Sequence, residues 1–211
     1  MKRLMKAVFA AVCMMSFSSF AQGAGHTFAS VCEKLAEHPN MTGNFTQIKT
    51  ISAVNRSLKS SGTFIFSLDG IMWKTEKPFP STLAVGMTSV IQTMANGKQT
   101  VIDASSNQIF TSISTTLSAV FGGDSAKIAE NFNVSFSSAG STWKAVLTPK
   151  DSMVAKILSS IQIGGSVSSS FADLNQIVMT EATNDTITYN FTDQKYPKEL
   201  TDAEKAYFIA K

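Results

Sequence analysis

A thiol enzyme needs a cysteine, a base beside it, and a third group to orient that base. Cys32 and His38 supply the first two residue types. They stand six apart, which on a helix puts them on different faces, and no third group accompanies them. His26 is the other histidine, and no second Cys or His falls at a metal-ligand interval. There is no GxSxG, P-loop or dinucleotide fingerprint. The carboxylates are scattered singly, so paired acid–base work has no local support. Gly122-Gly123 and Gly164-Gly165 read as turns. No catalytic residue, metal or cofactor is therefore assigned and a non-enzyme is expected, with a thiol enzyme using Cys32 kept as an alternative to Cys32 as a small core residue.

Apolar surface is what the chain offers instead. In "SSGTFIFSLDGIMWKTEKPFPSTLAVG" (60–86), Phe64, Phe66, Ile71, Trp73, Leu83 and Val85 stand on alternate positions. As three strands, the stretch puts all six on one face. Two readings stay open for that face. It is solid core packed on helices, or it is under-covered and lines a cavity for an apolar ligand. Six of the ten methionines, those after residue 21 (Met41, Met72, Met87, Met94, Met153, Met179), suit an adaptable lining or ordinary core filling equally.

The elements that would position this face follow from the periodicity. Phe28, Val31, Cys32 and Leu35 have helical spacing, with Thr27 as N-cap and Pro39 as stop. The period then becomes two. "NFTQIKTI" (44–51) and "SGTFIFS" (61–67) are strands, Asp69-Gly70 and Asn96-Gly97 are turns, and the meander runs to about 114. The pattern breaks at 115–133. Leu117, Val120 and Phe121 share one helical face, and Asp124 caps a second short helix carrying Ile128 and Phe132. Strands resume at "VSFSS" and "TWKAVLTP" around a turn at Ala139-Gly140-Ser141. "DSMVAKILSSIQIGG" reads as a short helix leading into a strand. A last hairpin turns at Asn184-Asp185, and the tail ends in a short charged helix or coil. The one-sided pattern favours an antiparallel sheet, and a sheet of so many strands curls. The class is α+β, mainly β, with the amphipathic helices as the available cover for the apolar face.

Met1–Ala21 has a basic start, an apolar run and small residues at its end, the pattern of a cleaved signal peptide. Cys13 lies inside the apolar run behind Val12, a poor setting for lipid attachment. Cleavage leaves residues 22–211 as one domain. The leader holds three of the 18 basic residues and none of the 15 acidic ones, so the remainder is balanced. There is no overall basic excess to attract nucleic acid or an anionic membrane. One cysteine remains, so no internal disulfide forms despite export.

"MTGNFTQIKT" (41–50) resembles the segment opening the first strand of periplasmic lipoprotein carriers of the LolA type. "SGTFIF…DGIMWKTEKPFPSTLAVG", "NGKQTVIDASSNQIF" and "SFADLNQIVMTEATNDTITYNFTD" are similar to that family's later hairpins, in the same order. The resemblance covers most of 26–195. It implies a half-open barrel with a helical lid (Leu117, Val120, Phe121) and an interior that takes up acyl chains. Phe45, Phe64, Phe66, Ile71, Trp73, Leu83 and Val85 would line it. It further implies acylated lipoprotein or other lipid as cargo, an inner-membrane transporter as donor, an outer-membrane acceptor, and a periplasmic monomer. One departure is clear. Carriers of this type place an arginine after the second strand to hold the lid, where this chain has Ser67, Leu68 and Asp69. The competing class is a secreted β-rich interaction protein without a lipid cavity.

Overall fold

In a computed structural model of the protein, residues 25–86, 88–103, 115–116, 118–120 and 122–210 are described. The leader, with Cys13, lies outside them, as do Leu117 and Phe121.

The first element is the helix α1 (Phe28–Ala36). Thr27 caps it, its side chain accepting from Ser30 N while Ser30 Oγ accepts from Thr27 N. Val31, Cys32 and Leu35 form its buried stripe. Six strands follow: β1 (Met41–Ile51), β2 (Arg56–Ser67), β3 (Gly70–Lys77), β4 (Ser81–Gly86), β5 (Ser89–Met94) and β6 (Gln99–Asp103). Then come α2 (Ser125–Asn131), β7 (Phe132–Ala139), β8 (Thr142–Pro149), α3 (Ser152–Ala155), β9 (Leu158–Ser166), β10 (Gln176–Glu181), β11 (Thr186–Lys195) and α4 (Asp202–Lys205). Both β1 and β2 begin several residues earlier than the alternation predicts. Phe132, expected on the second helix, is instead the first residue of β7.

All strands belong to one curled antiparallel sheet, ordered β6-β5-β4-β3-β2-β1-β11-β10-β9-β8-β7. Two connections break the plain meander. The last strand pairs with the first, Phe45 opposite Phe191. The chain between β6 and β7 passes from one sheet edge to the other. Residues 115–116 and 118–120, which are helical, and α2 belong to that crossover, which is why helical cover arises in mid-chain.

Turn chemistry sets the register. Ser67 pairs with Gly70 across a two-residue loop, Leu68-Asp69, and Gly70 has φ +143, a value that side chains rarely tolerate. The loop therefore sits one residue before the predicted Asp69-Gly70. At the bulge between β2 and β3, a Cβ on Gly62 would lie 1.9 Å from the Lys74 carbonyl oxygen, so only glycine fits.

Each face of the sheet carries its own apolar cluster. The inner one joins α1, residues 119–120 and α2 to strands from both halves of the sheet, from Ile71 on β3 to Phe132 on β7. The outer one is smaller. Ile65, Met72, Ala84 and Ile91 point the other way from Phe64 and its partners and are covered by Leu200, Tyr207 and Phe208. The charged tail is thus a second layer on the outside of β2–β5.

Candidate functional site

The six residues that alternate through 60–86 do share a face, because the register pairs them directly. Phe64 stands opposite Trp73 and Phe66 opposite Ile71, while Ile71 faces Val85 and Trp73 faces Leu83. On β1, Phe45 joins the same face opposite Gly62. The structure then grades these residues by depth. Phe45, Phe64, Phe66, Ile71 and Val85 are buried, while Trp73 and Leu83 are half-buried. Phe45, Phe64, Phe66 and Ile71 share one buried cluster with α1 and residues 119–120, in which Val120 is fully buried.

Sequence reasoning missed the other half of this wall. Tyr189 and Phe191, on β11, face inward beside β1. With Phe45, Phe64, Phe66 and Trp73 they make a continuous aromatic patch. Phe64 lies 4.7 Å from Phe191 and 4.8 Å from Phe66 between ring centroids, and Phe66 meets Trp73 edge-on at 5.7 Å. Trp73 lies 5.5 Å from Tyr189, which stacks on Phe191 at 6.3 Å. Beyond Tyr189 the inward positions continue through Ile187 and Met179, both half-buried. The alternation in "TITYNF" (186–191) was the available signal. Its pairing with β1 was not, because that contact spans most of the chain.

Polar groups are few in the deep part of this wall, while at its Ile187–Met179 margin Lys49 Nζ pairs with Glu181 Oε1 at 3.3 Å. Trp73 Nε1 is buried without a hydrogen-bond partner, as is Ser118 Oγ in the helical cover. Burial pushes the Tyr189 phenol up to about 12, so it stays neutral at ordinary pH. The arrangement offers apolar contact and an unused donor, with no group set to exchange protons near neutrality.

Where the carriers' arginine would stand, Ser67 is buried and turned onto its own hairpin. Its Oγ donates to the Gly70 carbonyl at 3.2 Å and accepts from Asp69 N at 3.2 Å. The position closes a turn and does not reach to the helices. Val120 and Ala119 instead meet the sheet through apolar contact.

The proposed thiol chemistry finds no support in the geometry. Cys32 is fully buried, and burial, then the charge of Glu33, pushes its thiol up to about 12. The nucleophilic thiolate is therefore nearly absent at neutral pH. His38 lies against two rings, 4.6 Å from Tyr196 and 5.1 Å from Phe171. Tyr196 donates to Asp173, and its hydroxyl also lies 2.8 Å from Gln194 Oε1. Burial, then the bond to Asp173 and its charge, pushes the Tyr196 phenol strongly up. This cluster ties β11 to the link between β9 and β10. Among the described residues, no group of three or more His, Cys, Asp or Glu is placed to hold a metal ion. A groove of about 330 Å³ opens on the outer face between the tail (Glu204, Tyr207) and Thr42, Asn44, Thr63 and Lys74, but its mixed polar walls do not suit an acyl chain.

The chain is similar to known proteins at low sequence identity. Solved structures that align with it include a LolA superfamily protein from Nitrosomonas europaea, at 12% identity and TM-score 0.45 over 86% of this chain and 97% of that one. Another is a DUF1329 family protein from Desulfovibrio piger, at 10% identity and TM-score 0.48 over 86% and 94%. No curated protein matches the sequence. The family model of the outer membrane lipoprotein carrier protein LolA matches residues 37–204, from the end of α1 through the tail helix, and the chain belongs to that family.

Proposed function

We propose that the protein is a periplasmic carrier that holds the acyl chains of a lipoprotein or related lipid against its inner sheet face and shuttles them towards the outer membrane. The observation that carries the reading is the graded inner wall. A buried aromatic floor (Phe45, Phe64, Phe66) gives way to half-buried Trp73, Leu83, Ile187 and Met179 at its margin. A chain entering at Trp73 and Leu83 would displace helical cover, and one reaching Ile187 and Met179 would also meet the Lys49–Glu181 pair. Membership of a carrier family supports the same reading.

The energetics suit transient holding. Each buried CH₂ contributes about 0.8 kcal/mol, so roughly twelve carbons could gain about 10 kcal/mol before ordering costs. Apolar contact of this kind has little directionality, so the cargo can pass to a better acceptor. The unpartnered Trp73 Nε1 offers one hydrogen bond to an ester or amide carbonyl at the head of the chain. In this scheme the leader is removed near Ala21, residues 22–211 act as one monomeric domain, and donor and acceptor are an inner-membrane transporter and an outer-membrane receptor. No catalytic step is involved.

The test is displacement of a fluorescent fatty-acyl probe from the mature protein, alongside extraction of lipids from protein purified out of the periplasm. Saturable displacement and co-purified acyl lipid are expected. Failure of both would leave a β-rich interaction protein as the better reading.

A further inference from the structure

Hairpin turns alternate between the two rims of an antiparallel sheet. The β1–β2, β3–β4 and β5–β6 turns therefore share one rim, and the β2–β3 and β4–β5 turns share the other. On the first rim each turn carries an exposed apolar side chain: Val54 at 59%, Phe79 at 81% and Met94 at 48%, with Leu58 beside them at 58%. Between them stand four exposed cations, Arg56, Lys59, Lys77 and Lys98. Glu76 is the single carboxylate in those segments. Asp185, on the neighbouring turn, is engaged by the Ser52 backbone N–H at 2.9 Å. The opposite ends of these strands carry Asp69, Asp103 and Asp193, with Lys195 beyond Asp193 and Lys205 near Asp69. The balanced net charge of the mature chain thus conceals an uneven distribution.

We propose that this rim docks the protein on the surface of an anionic phospholipid bilayer. Apolar tips spaced on successive turns, with cations between them, match an interface whose upper layer is negative and whose next layer is hydrocarbon. Same-rim turns sit two strand spacings apart, roughly 10 Å, which spreads the tips across a flat target rather than shaping a groove for a peptide. Phe79 is the deepest anchor. Pro78 and Pro80 flank it and have no N–H, so inserting the tip buries only its own backbone donor among the three residues. Leu58 and Met94 lie on the inner face of the sheet, so the docked rim would also set the inner wall towards the bilayer. The proposal does not depend on the cavity binding acyl chains.

The test is flotation of the mature chain with vesicles of phosphatidylcholine alone and with added phosphatidylglycerol. Binding is expected only with the anionic lipid, and it should fall steeply with salt. Phe79→Asp should weaken it by about tenfold or more, and changing Arg56, Lys59, Lys77 and Lys98 together to Gln should abolish it. Leu68→Asp, at 58% exposure on the opposite rim, is the control and should leave it unchanged. Circular dichroism checks folding, and probe displacement in vesicle-free solution reads acyl binding separately and should be unaffected by Phe79→Asp. Absence of binding to anionic vesicles would overturn the proposal. So would equal loss from Leu68→Asp and Phe79→Asp, or capture by a protein partner through Phe79 with no vesicle binding.

Discussion

The contrast between Phe66→Ala and Leu83→Ala measures how the inner wall is divided. Phe66 is fully buried, with Phe64, Phe191 and Trp73 at 4.8, 5.2 and 5.7 Å between ring centroids. Removing its ring leaves a hole bounded by rings that are themselves held by strand pairing, so collapse is limited. The loss should fall in the usual range for such a truncation, about 3–5 kcal/mol. Against a total stability of roughly 5–15 kcal/mol, the variant still folds. Leu83 lies on the same face but only half-buried, opposite Trp73 and Gln92. Its truncation should cost less, about 1–2 kcal/mol, because part of the side chain is already exposed.

Ligand binding should rank the two variants the other way round. Leu83→Ala removes surface that a bound chain would touch, whereas Phe66→Ala removes floor beneath it. Urea unfolding followed by far-ultraviolet circular dichroism gives stability without relying on Trp73 as a probe. Acyl-probe displacement on the same samples gives affinity. A loss below about 1.5 kcal/mol for Phe66→Ala would mean its ring already borders empty space. A larger stability loss for Leu83 than for Phe66 would refute the division into floor and margin altogether.

Three further outcomes are expected. Trp73→Phe removes a buried donor that has no partner, relieving about 1–3 kcal/mol, and gives up ring packing of similar size; stability should change by less than about 1 kcal/mol, and a urea-measured loss above 2 would place an acceptor on that N–H. Cys32 has a folded pKa of about 12 against a usual 9.0, so its stabilising effect is complete below pH 9 and is lost as pH rises from 9 towards 12, because the unfolded chain ionises first. From pH 8 to pH 10 the parent should therefore lose about 1.4 kcal/mol more than Cys32→Ala, by urea unfolding at each pH; equal losses would count against burial of the thiol. With Ser67 turned into its own hairpin, the helical cover should be held by apolar contact, and hydrogen exchange in 115–133 should respond weakly to salt and pH; a strong response would locate a polar latch elsewhere.

Local signals carried much of the fold. Alternation at 60–86 fixed which side chains share a face, since a period of two leaves no other choice once three strands are accepted. Thr27, Asp124 and Asn184 marked two helix starts and a turn, and the structure uses all three: Thr27 and Asp124 as caps, and Asn184 with φ 66 in the last turn. What alternation could not supply was depth. Phe66 and Leu83 read alike in the sequence, yet helical cover from far along the chain buries one and spares part of the other. Nor could it supply partners across long separations. Tyr189 and Phe191 enter the wall through pairing with β1, and Leu200, Tyr207 and Phe208 shield an outer face that the alternation presents as solvent-exposed.

The sheet therefore has two apolar faces and manages them differently. Outside, four strand residues meet three tail residues, and the match closes a small patch permanently. Inside, the wall is longer than its cover. In the crossover between the two edge strands, the described helical parts are α2, of seven residues, and residues 115–116 and 118–120, short beside eleven strands. A longer rigid cover would have sealed the wall as core. A short one leaves a half-buried margin at Trp73, Leu83, Ile187 and Met179, where the proposed carrier role would exchange cover for ligand. On this argument, capacity to bind is set by the mismatch between sheet width and helix length, and no single catalytic or chelating residue is needed to account for it.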